Sequence, residues 1–135
     1  MLAKAGDVYC VYNNYLKKYT ACQITKIEED DQKPQAVILS LDWSGEEPLK
    51  EEELSSIKPL YKDFMYWNRG IHLSNVDVNV PTNYTFVGNV TPLTDESTNS
   101  YATWGDGYEV YRQLKWQEIT KEQRNTFKEA DKSKE

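Results

Sequence analysis

The chain has one histidine, two cysteines and no long apolar run. Each scarcity narrows the function. His72 is the only imidazole, and no paired Cys/His spacing suggests zinc. Nothing in the sequence places a serine, cysteine or carboxylate beside His72, so it reads as a strand-end or surface histidine. Gly-rich phosphate loops, metalloprotease helix motifs and Asp-x-Asp-x-Asp calcium spacing are also missing. No catalytic residue, metal or cofactor is therefore expected; an enzyme working through carboxylates alone stays a distant third reading, since plentiful acids are usually a solvated face. No stretch approaches the roughly 20 apolar residues of a membrane span. The opening Met1 to Asp7 is too short and too soon polar for a signal peptide, so the expected compartment is the cytoplasm. Without export, Cys10 and Cys22 are expected to be reduced, buried and small-apolar in behaviour. On the same ground, Asn83-Tyr84-Thr85 and Asn89-Val90-Thr91 are chance matches to the glycosylation pattern.

What the chain does have is aromatic and β-branched residues in short runs. Its 135 residues suit one domain, and ten Tyr with four Trp can fill a small β core. Asp7 to Tyr12 and Tyr19 to Ile27 read as strands joined by a polar link, an antiparallel hairpin. The run Glu28-Glu29-Asp30-Asp31 followed by Pro34 is a charged turn. Gln35 to Trp43 reads as a buried central strand. Within Ser44 to Lys58, Leu49, Leu54 and Ile57 mark one side of a short surface helix or helical turn, stopped by Pro59. Pro59 to Gly70 predicts a strand that brings Phe64, Tyr66 and Trp67 inward. Val76, Val78 and Val80 alternate with polar residues, and Tyr84 to Val90 resumes as strand. The polar stretch Thr94 to Ser100 reads as a loop. Tyr108, Val110, Leu114 and Trp116 share one parity, which favours a closing strand, although Val110 and Leu114 also fit helical spacing. Thr120 to Gln123 is a capping-box pattern that predicts a terminal helix, with residues 129–135 as a frayed tail. The expected fold is mainly β, a β-rich α+β domain over 1–135. Its core is a bent antiparallel sheet or SH3-like small barrel of about five to seven strands with a C-terminal helix.

The net charge is −6, and its distribution matters more than its size. Residues 26–58 hold ten acids against four bases, while the remaining twelve acids and twelve bases cancel. Bases do not cluster, and the acidic middle repels phosphate, so nucleic acid is disfavoured as a partner. An acidic patch on a small domain attracts basic proteins and speeds their encounter. The candidate contacts are Glu28, Glu29, Asp30 and Asp31 in one cluster, and Glu46, Glu47, Glu51, Glu52 and Glu53 in the other. The second holds more charge and has Leu49 and Leu54 nearby as apolar anchors. The bland alternative is that these acids only keep the protein soluble.

Gly6-Asp7-Val8-Tyr9-Cys10-Val11, a polar turn, and Tyr19-Thr20-Ala21-Cys22-Gln23-Ile24 together resemble the opening of certain bacterial immunity proteins. The family is the one numbered twenty-six among those that neutralise toxins of polymorphic and contact-dependent systems. The resemblance covers about the first 25 residues. It implies a non-enzymatic cytoplasmic inhibitor with a small β-barrel core, whose partner is a cognate toxin domain. The family has no catalytic motif, so no functional residue is carried over. Gly-Asp-Val at a strand start also occurs in SH3-like barrels. The alternative is accordingly an SH3- or Tudor-like module that grips a peptide or cationic group with exposed aromatics among Tyr61, Tyr66, Trp67 and Trp104.

Overall fold

A computed structural model describes residues 2–29, 33–63, 70–105 and 107–119. The predicted helix from Thr120, the tail 129–135, and Phe64, Tyr66 and Trp67 lie outside the described residues.

β1 (Asp7–Asn13) and β2 (Lys18–Glu28) form the expected hairpin, with Tyr9 opposite Cys22 and Tyr12 opposite Tyr19. The link closes through Lys17, whose φ of 59° is left-handed and whose N–H donates to the Asn13 carbonyl at 2.7 Å. β3 (Gln35–Gly45) pairs along the other side of β2. A two-residue ribbon follows, β4 (Tyr61–Lys62) with β5 (Gly70–Ile71). β6 (Leu73–Asp77) and β7 (Thr85–Asn89) complete an antiparallel sheet in the order β6-β3-β2-β1-β7.

The protein is thus mainly β, and the sheet is bent. Pairing registers shift at Val8/Tyr9, Thr20/Cys22 and Ile24/Lys26, and each such bulge increases local twist. Of the two expected forms, this is the bent sheet: β6 and β7 stand at opposite edges of the order.

A strand period of two loads both faces. One face gathers Val8, Cys10, Val37, Leu39 and Leu41, covered by Leu49 and Leu54. The other gathers Tyr9, Cys22, Ile24, Ala36 and Val76, with Tyr84 and Trp104 packed against them. Cys10 and Cys22 fall in separate cores and are free and buried. Burial pushes both thiols up, Cys22 to about 12. Iodoacetamide is expected to spare both cysteines in the native protein and to alkylate both in denaturant, as read by mass spectrometry. Fast native alkylation would contradict the core assignment.

The segment expected to be a short surface helix or helical turn is a 3-10 turn, Glu51–Ser56. Pro48 lies ahead of it. Glu53 folds back to accept the Lys50 N–H at 3.2 Å, while Leu54 is buried and Ile57 half-buried beneath.

Residues 108–117 are not a strand. Helix α1 spans Tyr108–Glu118 and buries Gln113, Leu114 and Trp116. In a strand, the parity shared by Tyr108 and Leu114 would carry Arg112 into the core. In the helix, Arg112 lies one turn after Tyr108 and places its guanidinium 5.4 Å from that ring. The start is set by Gly107, with φ 84°, whose carbonyl accepts from Asn13 Nδ2 at 2.9 Å and from the Tyr111 N–H.

Between β7 and α1 the chain is irregular and its backbone needs partners. Buried amides supply several. Gln23 Nε2 donates to the Val90 and Thr91 carbonyls, both at 3.2 Å, and its Oε1 accepts from the Leu93 N–H at 3.0 Å. Asn75 Nδ2 donates to the Thr98 carbonyl at 2.7 Å and the Ser100 carbonyl at 3.2 Å. With Asn13 at Gly107, these three side chains pin the covering segment to the sheet. Among the described residues no helix is long and apolar enough to cross a membrane.

Candidate functional site

Glu46 and Glu47 follow β3 directly, and Glu51, Glu52 and Glu53 open the 3-10 turn. This ledge is fastened from below. Leu49 and Leu54 are buried, and the Leu49 N–H reaches Cys10 Sγ at 3.5 Å. Leu54 also lies so close to Gly88 that a Cβ there would sit 2.6 Å from its Cδ1. Glu46, Glu47, Glu51 and Glu52 are exposed, and among the described residues no ion pair engages them. Glu53 is half-buried by its capping contact. Tyr19 stands opposite Gly45 and meets Tyr12 edge-on, ring centroids 5.2 Å apart. Tyr12 is 46% exposed. The hairpin tip and the acidic ledge therefore share one end of the sheet.

The other acids lie elsewhere. Glu28 pairs with Gln35 at the start of β3, whose 11 residues separate it from Gly45 by about 33 Å. Its carboxylate is engaged, 3.5 Å from Lys26 Nζ and accepting from Ser97 Oγ at 2.7 Å. Glu29 is exposed, and Asp30 and Asp31 lie outside the described residues. Glu28 and Glu29 therefore do not form one patch with the ledge.

Of the aromatics expected to grip a peptide, Tyr61 is exposed on β4. Trp104 is half-buried and locked: its Nε1–H donates to the Asp77 carbonyl and its own carbonyl accepts from the Tyr84 hydroxyl, both at 2.8 Å. It forms a wall of a cavity of about 540 Å³. The floor of that cavity is sheet, including Cys22, Ile38, Ser40 and Val76; the start of α1 closes one side with Tyr108, Glu109 and Val110.

His72 also lines this cavity, between β5 and β6. It is at a strand end as expected, but its side chain is only 12% exposed. Nδ1 lies 2.9 Å from Ser40 Oγ, and Nε2 lies 3.4 Å from Glu109 Oε2. The Glu109 carboxyl is held below its ordinary range, first by the hydrogen bond from His72 and then by the charges of His72, Lys62 and Arg112. A serine, an imidazole and a carboxylate in line invite a hydrolase reading. The Ser40 backbone is engaged with the same neighbours: its N–H donates to the His72 carbonyl and its carbonyl accepts from Leu60. The geometry works as a polar tie between the sheet and α1. No local sequence signal could have found it, because strand pairing and helix docking bring together residues far apart in the chain. Among the described residues no group of three His, Cys, Asp or Glu side chains gathers for a metal.

No family model, no curated protein and no solved structure matches this chain. The fold and its surface define a class rather than a family: a small β-rich α+β domain with a charged ledge at one sheet end and an aromatic-walled cavity on one face.

Proposed function

We propose that the chain is a non-enzymatic binding domain of the immunity type, which holds and neutralises a basic protein partner through Glu46, Glu47, Glu51 and Glu52. The observation that carries this reading is that, among the described residues, no ion pair engages these four exposed acids on a ledge fixed by Leu49 and Leu54. Four unneutralised charges on a rigid support repel one another, a cost that a basic partner relieves on binding. Tyr12 and Tyr19 beside Gly45 supply the aromatic anchors that such interfaces favour. Glu28 and Glu29 are secondary contacts at best, since Glu28 is already paired.

Reversing Glu46, Glu47, Glu51 and Glu52 to Lys is expected to slow association with the basic partner by roughly tenfold or more at low salt. It should also invert the salt dependence and leave the melting temperature nearly unchanged. Glu53 is kept, because it holds the Lys50 N–H. Reversal of Glu28 and Glu29 should matter less. Stopped-flow association at two ionic strengths checks both, with the partner taken from a toxin reading frame beside the gene. Unaltered rates in both variants would leave the acids a solubilising role only. The alternative, a peptide-binding module, keeps two supported elements, the exposed Tyr61 and the Trp104 wall of the cavity.

A further inference from the structure

The cavity wall has a composition that selects for charge. Tyr84 and Trp104 meet with centroids 4.9 Å apart at 69°, and Tyr15 and Tyr108 with centroids 5.0 Å apart at 64°. Both pairs contribute to the lining. The first is locked by the two hydrogen bonds at Trp104, and Tyr15 is fixed by its N–H on Asn13 Oδ1 at 3.0 Å. Glu109 is the only carboxylate among the described lining residues, and neither lysine nor arginine is among them. Ring faces carry negative potential and attract cations within about 6 Å. The carboxylate at the rim acts in the same sense: His72 occupies one of its oxygens while lone pairs remain. Lys62 and Arg112 act on it from outside the lining, and Arg112 already lies over the Tyr108 ring, so the Tyr84–Trp104 pair carries the attraction for a guest. Ile38, Val76 and Val110 offer an apolar bed for a stem.

We propose that this cavity binds an organic cation, an alkylammonium or guanidinium head on an aliphatic stem, with the head against the Tyr84–Trp104 pair and Glu109. The volume lies within the usual range for small-ligand sites. The site is separate from the acidic ledge, which caps the other core of the sheet, so it stands whether or not the inhibitor reading does. A free amine and a basic side chain of a peptide share this chemistry.

The test is a titration of ¹⁵N-labelled protein with n-butylammonium, with 1-butanol as the neutral isostere. The expected result is saturable shifts at the Trp104 indole N–H and the Gly105 and Gly107 amides. Butanol should bind at least about fivefold more weakly, and Glu109→Gln should weaken the amine by about the same factor. Glu109 is largely exposed, so the variant is expected to fold. Ser74→Leu, which fills the lining, should abolish the shifts while the rest of the spectrum reports a folded protein. Nα-acetyl-lysine methylamide identifies the source: binding equal to butylammonium favours a side chain, weaker binding a free amine, and both support the cation assignment. Equal affinity for butanol and the amine would overturn it. So would shifts confined to Glu46–Glu52, or none that saturate.

Discussion

Replacing Gln23 with leucine is expected to destabilise the protein by about 3 kcal/mol. Gln23 is 0% exposed, and leucine is close enough in size that little cavity forms. The loss is in hydrogen bonds. The Val90 and Thr91 carbonyls and the Leu93 N–H each lose the partner they have in Gln23. A buried polar group left unpaired costs roughly 1–3 kcal/mol, but Thr91 and Leu93 are exposed enough for water to replace part of it. For a chain this long the melting temperature should fall by about 10 °C, measured by calorimetry. A change under about 1 kcal/mol would mean that apolar contacts of Val87 and Val90 hold this segment instead.

Gln23 also shows where the sequence stops being readable. The hairpin, β3 and the alternation around Val76 were legible because strand period and burial speak through neighbours in the chain. Gln23 sits in such a strand, and alternation alone would class it as a wet-face residue. It is buried because an irregular segment some seventy residues away needs its amide. The same holds for Asn13, whose polar link residues suggested only a turn. Its side chain does hold that turn, accepting from the Tyr15 and Leu16 N–H groups, but it also donates across to Gly107. The misreading of 108–117 has the same root. Parity among Tyr108, Val110, Leu114 and Trp116 is a local signal, whereas the helix start depends on a left-handed Gly107 lying on Asn13. For the candidate sites, the acids Glu46 to Glu53 were visible as charge, and their fastening by Leu49 and Leu54 as apolar spacing. The cavity was not visible, because its walls come from β1, β2, β3, β6 and α1 together.

That dependence makes Gly107→Ala the sharper experiment on the site. Gly107 has φ 84°, and a Cβ there would sit 2.4 Å from Asn13 Nδ2. Asn13 is 1% exposed and cannot simply swing into solvent. Alanine in the left-handed region costs roughly 1–2 kcal/mol by itself. Displacing Asn13 adds the loss of its bond to Gly107 and weakens the turn at Tyr15 and Leu16, for a total of about 4 kcal/mol. Gly105→Ala is the control. It shares a positive φ of 72°, but its nearest neighbour is the Thr103 carbonyl at 3.6 Å, so only the backbone cost of about 1–2 kcal/mol is expected. Chemical denaturation compares the two. The functional effect should separate as well. Tyr108 and Glu109 follow Gly107 directly, so a misplaced α1 removes one cavity wall and should weaken amine binding. The Glu46 to Glu52 ledge rests on Leu49 and Leu54 and should still engage its partner at the wild-type rate. If Gly107→Ala costs no more than Gly105→Ala, Asn13 does not anchor the helix, and the wall formed by Tyr108 and Glu109 has some other support.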